Sequence, residues 1–148
     1  MRLKSLFTAL LLAALSCSAL ASDLLSVADI EKTTGLSGVQ SVPKDPAKGA
    51  GGDLNFANAE KKLVAIVMIQ DASMFDFWNK QYGKLGTSVS GLGSDAFQTK
   101  PGSAIPYVVF KKSGKAVWIQ SMGWDKAGKA NLNDEQLLGL AKLAASRL

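Results

Sequence analysis

One uninterrupted apolar run, LVAIVMI at Leu63–Ile69, constrains the architecture more than any other part of the chain. A strand with one face in water alternates apolar and polar side chains, so a run that is apolar throughout indicates cover on both faces. A second such run, YVVF at Tyr107–Phe110, precedes the two-residue turn signal Ser113–Gly114 and a strand at Lys115–Ser121. This turn predicts an antiparallel hairpin, and the doubly apolar strands require a layer on each side of the sheet.

Turn and capping signals divide the rest of the chain into short elements. Further strands are predicted at Val39–Val42, Asp53–Ala57, Asp95–Thr99 and Ile105–Lys111. Loops rich in Gly, Pro or Ser are expected between these elements, at residues 43–52 and 83–94. The predicted order is α-β-β-β-α-β-β-β-α. We therefore expect residues 22–148 to form one α+β domain, with a single antiparallel sheet of about five or six strands sandwiched by about three helices.

Three helices are predicted from their capping residues. Ser26 and Asp29 have the spacing of a capping box, and Gly35 follows Thr34 as a left-handed stop. Asn133 and Gln136 have the same spacing before the last helix. The middle helix is expected to be capped by Ser73 and to run to about Leu85. Its expected apolar side holds the following residues: Phe77, Trp78, Tyr82 and Leu85.

The first 21 residues have the organisation of a secretory signal. Arg2 and Lys4 precede the apolar run Leu6–Leu15, and Ala19 and Ala21 are small residues placed for signal-peptidase cleavage. The apolar run is shorter than the roughly 20 residues that span a membrane. We therefore expect a periplasmic or secreted protein.

The chain has no histidine and a single cysteine, Cys17, in the predicted signal. The missing imidazole excludes Ser-His-Asp triads, Cys-His pairs and histidine metal ligands. Cleavage after Ala21 would remove the thiol as well, so we expect no cofactor, no metal site and no enzyme activity. Lipid anchoring through Cys17 is the alternative, although Ala14 stands where lipoprotein signals usually carry Leu.

Three further features of the sequence could indicate a function, but each gives only weak support for it. Gly91–Ala96 fits the dinucleotide pattern G-x-G-x-x-A, but Pro101 follows too soon for the helix that this site requires, so a turn is expected. Asp71 and Asp76, with Asp53 or Asp125, could act as general acid and base, which leaves a carboxylate-dependent hydrolase as one alternative function. The 17 Lys and Arg against 12 Asp and Glu form no basic stripe, which argues against nucleic-acid binding.

The segment Val89–Phe97, the hairpin at Lys112–Lys115 and the capped C-terminal helix together resemble small secreted domains of the PsbP-like α-β-α sandwich group. Surface lipoproteins and receptor-kinase sensor domains of that group carry a similar V-x-G-L-G-D-x-A stretch entering a strand, although here Ser94 shifts the acidic residue to Asp95. The sensor domain has paired disulfides that this chain lacks. The resemblance implies a binding or assembly module without catalytic residues.

The sequence thus favours an exported, non-enzymatic binding module of the bacterial envelope that recognises a protein partner or a small ligand. Trp124, in a Gly-containing loop, is the first candidate contact, and Tyr107 and the Gly-rich loop at Lys48 are the others. An inhibitor or immunity protein that blocks an envelope enzyme or toxin is the alternative, since such proteins are also small and exported.

Overall fold

The computed structural model describes residues 23–148, and the predicted signal with Cys17 lies outside them. The helices from Val27 onward are α1 (Val27–Thr34), α2 (Ser73–Tyr82) and α3 (Asp134–Ser146). The strands are β1 (Gln40–Ser41), β2 (Leu54–Ala57), β3 (Leu63–Asp71), β4 (Gly86–Ser88), β5 (Asp95–Thr99), β6 (Tyr107–Lys112) and β7 (Lys115–Ser121). Short 3₁₀ turns lie at Pro46–Lys48 and Gly83–Leu85.

Within the described chain the strands form one sheet in the order β1-β2-β3-β7-β6-β5-β4, with every neighbouring pair antiparallel. The doubly apolar run of β3 lies inside the sheet, where Val67 pairs with Ile119 of β7. Ser113 and Gly114 both have positive φ, as a two-residue hairpin turn requires. The predicted α+β class and single antiparallel sheet are confirmed.

The predicted strand count is wrong by one, because β4 was expected to be loop. The sequence Gly86-Thr87-Ser88 has no apolar alternation, and it pairs only along β5. A strand of this kind is stabilised by backbone hydrogen bonds to the neighbouring strand. Its side chains need not alternate between apolar and polar, so the sequence does not identify it. Its presence makes β4 one edge of the sheet and β1 the other.

The two sides of the sheet are covered differently. Helices α1 and α3 pack on one side, which we call the covered face, over a core that includes Val67, Val108, Phe110, Ile119 and Leu140. Helix α2 packs on the other side, which we call the open face, over a smaller cluster: Phe75, Trp78, Phe97, Val109, Ala116 and Trp118. Because α2 has only 10 residues, it covers part of that face.

The capping residues of α1 and α3 behave as predicted. Ser26 and Asp29 make both bonds of a capping box, as do Asn133 and Gln136, and Gly35 ends α1 with a φ of 72°. Cap residues act on their own backbone within one turn, so their sequence signal needs no tertiary information.

The prediction for α2 needs two corrections. Ser73 does not cap α2: it is the first helical residue, and Ala72, which has no capping side chain, precedes it. The amide of Ala72 donates instead to the carbonyl of Gly114, so the end of β3 leads directly into the helix. The buried side of α2 carries Phe75 and Trp78, whereas Phe77 and Leu85, expected on it, are exposed.

Candidate functional site

An aromatic cluster forms the centre of the open face. Successive strand residues point to opposite faces, so β6 and β7 direct Tyr107 and Trp118 toward α2 while their neighbours enter the covered core. The Tyr107 and Trp118 rings lie 4.4 Å apart between centroids, and Tyr82 from α2 meets the Trp118 ring edge-on at 5.1 Å. Trp118 is 5 % exposed, and Tyr82 is 40 % exposed. The cluster therefore has a packed base and an accessible rim.

A groove of about 490 Å³ opens beside this rim. Its lining is formed by Tyr82 and Leu85, by Ile105 and Tyr107, and by the connection from Thr99 to Ser103. Leu85 and Ile105 are 65 % and 49 % exposed, so two large aliphatic side chains of the lining face water. Grooves of this volume with apolar and aromatic walls are typical of ligand and peptide sites.

Among residues 23–148, Lys100 is the only charged residue that lines the groove. Lys84, which directly precedes Leu85, is also exposed. Among residues 23–148 neither lysine forms an ion pair, whereas Lys111 on the same face lies 3.3 Å from Asp95 and 3.6 Å from Asp76. Within the described part of the chain, the groove lining therefore carries one positive charge and no carboxylate.

Both the backbone and the side chain of Tyr107 are constrained by their surroundings. Its amide donates to the Thr99 hydroxyl at 3.3 Å, which fixes the start of β6 against the end of β5. Burial raises the pKa of its phenol above the ordinary value of 10.0, and the nearby Tyr82 adds to the shift. At neutral pH the phenol is therefore a hydrogen-bond donor and acceptor and not a base.

The three candidate contacts from the sequence fall at different places. Tyr107 lines the groove. Trp124 is 55 % exposed, and its indole N–H donates to the carbonyl of Ala104 at 2.9 Å, so it supports the segment that supplies Ile105. The Lys48 side chain is 84 % exposed in the first 3₁₀ turn and pairs with Asp45 at 3.3 Å, away from the groove lining.

Sequence reasoning did not identify Tyr82, Leu85 and Ile105 as site residues. Tyr82 and Leu85 were expected on the apolar side of α2, and Ile105 was expected inside a strand. The structure ends α2 at Tyr82 and begins β6 at Tyr107, which leaves the two aliphatic residues in connecting segments. A large aliphatic residue beside Gly or Pro was the available signal, since Leu85 precedes Gly86 and Ile105 precedes Pro106.

The carboxylates considered for hydrolysis are each engaged structurally. Asp53 forms an ion pair with Lys44 and accepts a hydrogen bond from the Ile69 amide. Asp71 forms an ion pair with Lys115, and Asp76 with Lys111. Asp125 accepts hydrogen bonds from amides of its own turn. In the part of the chain that the structure describes, no three Asp, Glu, His or Cys side chains are grouped to hold a metal ion. No helix within residues 23–148 is long and apolar enough to cross a membrane.

Comparisons of the chain with protein-family models, with curated proteins and with solved structures give no significant match. The resemblance to the PsbP-like group stays a prediction from the sequence.

Proposed function

We propose that this chain is an exported, non-enzymatic binding module of the bacterial envelope, and that it recognises its partner through the groove on the open face. One observation carries the proposal: Leu85 and Ile105 expose large apolar side chains in the lining of a groove that also includes Tyr82 and Tyr107 of the packed aromatic cluster. Exposed apolar surface that is contiguous and framed by polar residues is characteristic of interaction sites.

The aromatic cluster supports this function because it is ordered before any partner arrives. Tyr107 is in contact with Trp118, Tyr82 and Phe97, at centroid distances from 4.4 to 6.3 Å. Rings fixed in this way lose little conformational freedom on binding, and they offer an apolar face together with a hydroxyl. Burial within this packing raises the pKa of Tyr107, so its phenol stays neutral and can donate a hydrogen bond to a partner.

Native mass spectrometry of the protein isolated gently from its own envelope tests the proposal. We expect a mass excess that denaturation removes, in the wild type and in Phe77→Ser, but not in Ile105→Ser. Phe77 is the matched control because it is 55 % exposed, close to the 49 % of Ile105, and lies outside the groove lining.

Two results would contradict the proposal: a bare chain in every sample, or an excess that Ile105→Ser retains. The denatured mass also tests export, since a mature chain starting at Ser22 is expected. A diacylglyceryl adduct on Cys17 would instead show a lipid-anchored protein.

A further inference from the structure

The two edges of the sheet are not equally protected. Edge strands are commonly blunted by proline or charge, because their free backbone groups can pair with another chain. After β1 the chain reaches Pro43 within two residues. The β4 edge reads Gly-Thr-Ser-Val-Ser from Gly86 to Ser90 and has neither proline nor charge. Within the described residues β4 pairs with β5 alone.

The register of β4 shows which backbone groups face outward. The amide of Val89 donates to the carbonyl of Ala96 at 3.0 Å, so Val89 belongs to a hydrogen-bonded pair with β5. Antiparallel pairs alternate, and therefore Thr87 is also bonded to β5 while Ser88 is not. The amide and carbonyl of Ser88 point to the free edge. By the same alternation the carbonyl of Gly86 points to the free edge, whereas its amide donates to the carbonyl of Gly83 in the 3₁₀ turn.

This edge is continuous with the groove. Gly86 pairs with Thr99, which lines the groove, and Ser88 pairs with Phe97, which lies in the open-face cluster. Gly86 has no side chain, and a Cβ there would stand 2.4 Å from the carbonyl oxygen of Gln98. The missing side chain therefore lets β4 lie close to β5 at the residue that pairs with Thr99 of the groove lining.

The charged residues near this edge favour acidic residues in such a strand. Lys84 lies two residues before Gly86, and Lys100 directly follows Thr99, with which Gly86 pairs. Among residues 23–148 neither lysine forms an ion pair and no acidic residue lines the groove. Acidic residues in the added strand would be attracted to this region, and basic ones would be repelled.

We infer that the partner of the groove is an extended, acidic peptide segment that adds to β4 as a further strand and places one apolar side chain in the groove. This inference rests on the proposed function and specifies its partner. Backbone pairing supplies affinity, while the groove and the two lysines supply selectivity, as in other strand-addition complexes.

Selection from a display library of random linear peptides tests the inference. We expect enrichment of sequences with one large apolar residue flanked by Asp or Glu. One enriched peptide is then synthesised, and its affinity is measured with the wild type, Ser88→Pro and Ser41→Pro. Proline at residue 88 removes the outward amide but leaves the bonds of Thr87 and Val89 to β5, which edge strands tolerate.

Ser41→Pro is the matched control at the opposite edge. The amide of Val42 donates to the carbonyl of Asn55 at 2.9 Å, so the amide of Ser41 also points outward. Ser88→Pro should weaken the peptide at least about tenfold, through the lost hydrogen bond and the ring at the edge, whereas Ser41→Pro should leave the affinity within about twofold of wild type.

N-methylation of the peptide backbone gives a test that leaves the protein unchanged. It tests strand addition to β4 even if Ser88→Pro does not fold. Methylation should weaken binding at alternate positions, because only alternate amides of an added strand face β4. No enriched peptide, equal effects of the two prolines, or losses without alternation would overturn the inference. Those results leave intact a groove-dependent mass excess in native spectra, so failure of the peptide class is distinguishable from failure of the proposed function.

Discussion

The two faces of one sheet are built from the same strands but are covered to different extents. On β6, Phe110 enters the covered core and is fully buried, while Tyr107 points to the open face and lines the groove. The covered face is sealed by the 13 residues of α3 together with α1, whereas the open face has the 10 residues of α2. Stability is therefore concentrated on one face, and accessible apolar surface on the other.

The kind of apolar residue differs between the faces as well as its burial. Aliphatic side chains dominate the covered core, and close packing there leaves no solvent access. The open-face cluster is mainly aromatic, with Phe75 meeting Phe97 and Trp78 meeting Trp118 edge-to-face at 5.7 and 5.5 Å. Aromatic pairs prefer such edge-to-face arrangements, which stabilise them beyond the area that they bury. Contacts between rings therefore stabilise the open face, although α2 covers only part of it.

The largest expected effect is on the covered face. Phe110→Ala should lower the free energy of unfolding by about 3–5 kcal/mol, because it removes a fully buried ring and leaves a cavity. Phe77→Ala, the same change at a ring 55 % exposed on α2, should alter it by no more than about 0.5 kcal/mol. Chemical denaturation measures both values, and similar losses at the two positions would abolish the contrast between the faces.

An ion pair also joins the two helices of the covered face, α1 and α3, near their ends. The guanidinium of Arg147, after α3, forms a two-point ion pair with Asp29 of α1, at 2.6 Å to Oδ2 and 2.9 Å to Oδ1. It donates a further bond to the carbonyl of Leu24. Chiefly because of the Arg147 hydrogen bonds, the pKa of Asp29 lies well below its ordinary value, with bonds from Ser26 contributing.

A smaller, pH-dependent effect follows from this ion pair. Arg147→Ala should lower the free energy of unfolding by about 1 kcal/mol at neutral pH. Because the folded pKa of Asp29 is lowered, its contribution is present above the unfolded pKa, ordinarily 3.8, and is lost as the pH falls through the folded value. The difference in stability between wild type and Arg147→Ala should therefore narrow in acid.

Lys142→Ala is the control for this measurement, since it removes another cation from α3 that forms no ion pair within residues 23–148. Denaturant unfolding at a series of pH values checks both variants. A difference between wild type and Arg147→Ala that stayed constant from neutral pH into acid would show that the ion pair with Asp29 does not stabilise the covered face.

The covered face was more predictable from the sequence than the open face. The capping boxes at Ser26 and Asn133 and the hairpin at Ser113 act locally, so a few residues suffice to identify them. The side of α2 that is buried was not predictable from a few neighbouring residues. Phe75 and Phe77 are equally apolar, and the choice between them depends on Phe97, 22 residues after Phe75, which packs on the Phe75 ring.

The groove was missed for the same reason. Its walls come from the end of α2, the connection after β5 and the start of β6, and only the tertiary fold brings these segments together. Tyr107 could be proposed because an aromatic residue on a doubly apolar strand is informative by itself. The signal at Leu85 and Ile105, their positions before Gly86 and Pro106, is weaker, since an aliphatic residue in the sequence predicts burial. Their exposure becomes visible only in the folded chain.

A change in stability no larger than that at Arg147 is expected at Trp124, which supports the open face from outside the cluster. Trp124→Ala should reduce the free energy of unfolding by no more than about 1 kcal/mol, since the ring is 55 % exposed and makes one hydrogen bond, to Ala104. It should nevertheless reduce the bound mass excess in native spectra, because the segment carrying Ile105 loses its support. Trp124→Phe keeps a ring without the N–H, and so separates the hydrogen bond from the apolar contact. If Trp124→Ala unfolds the domain, this ring belongs to the core, and the open face is less independent of the fold than its exposure implies.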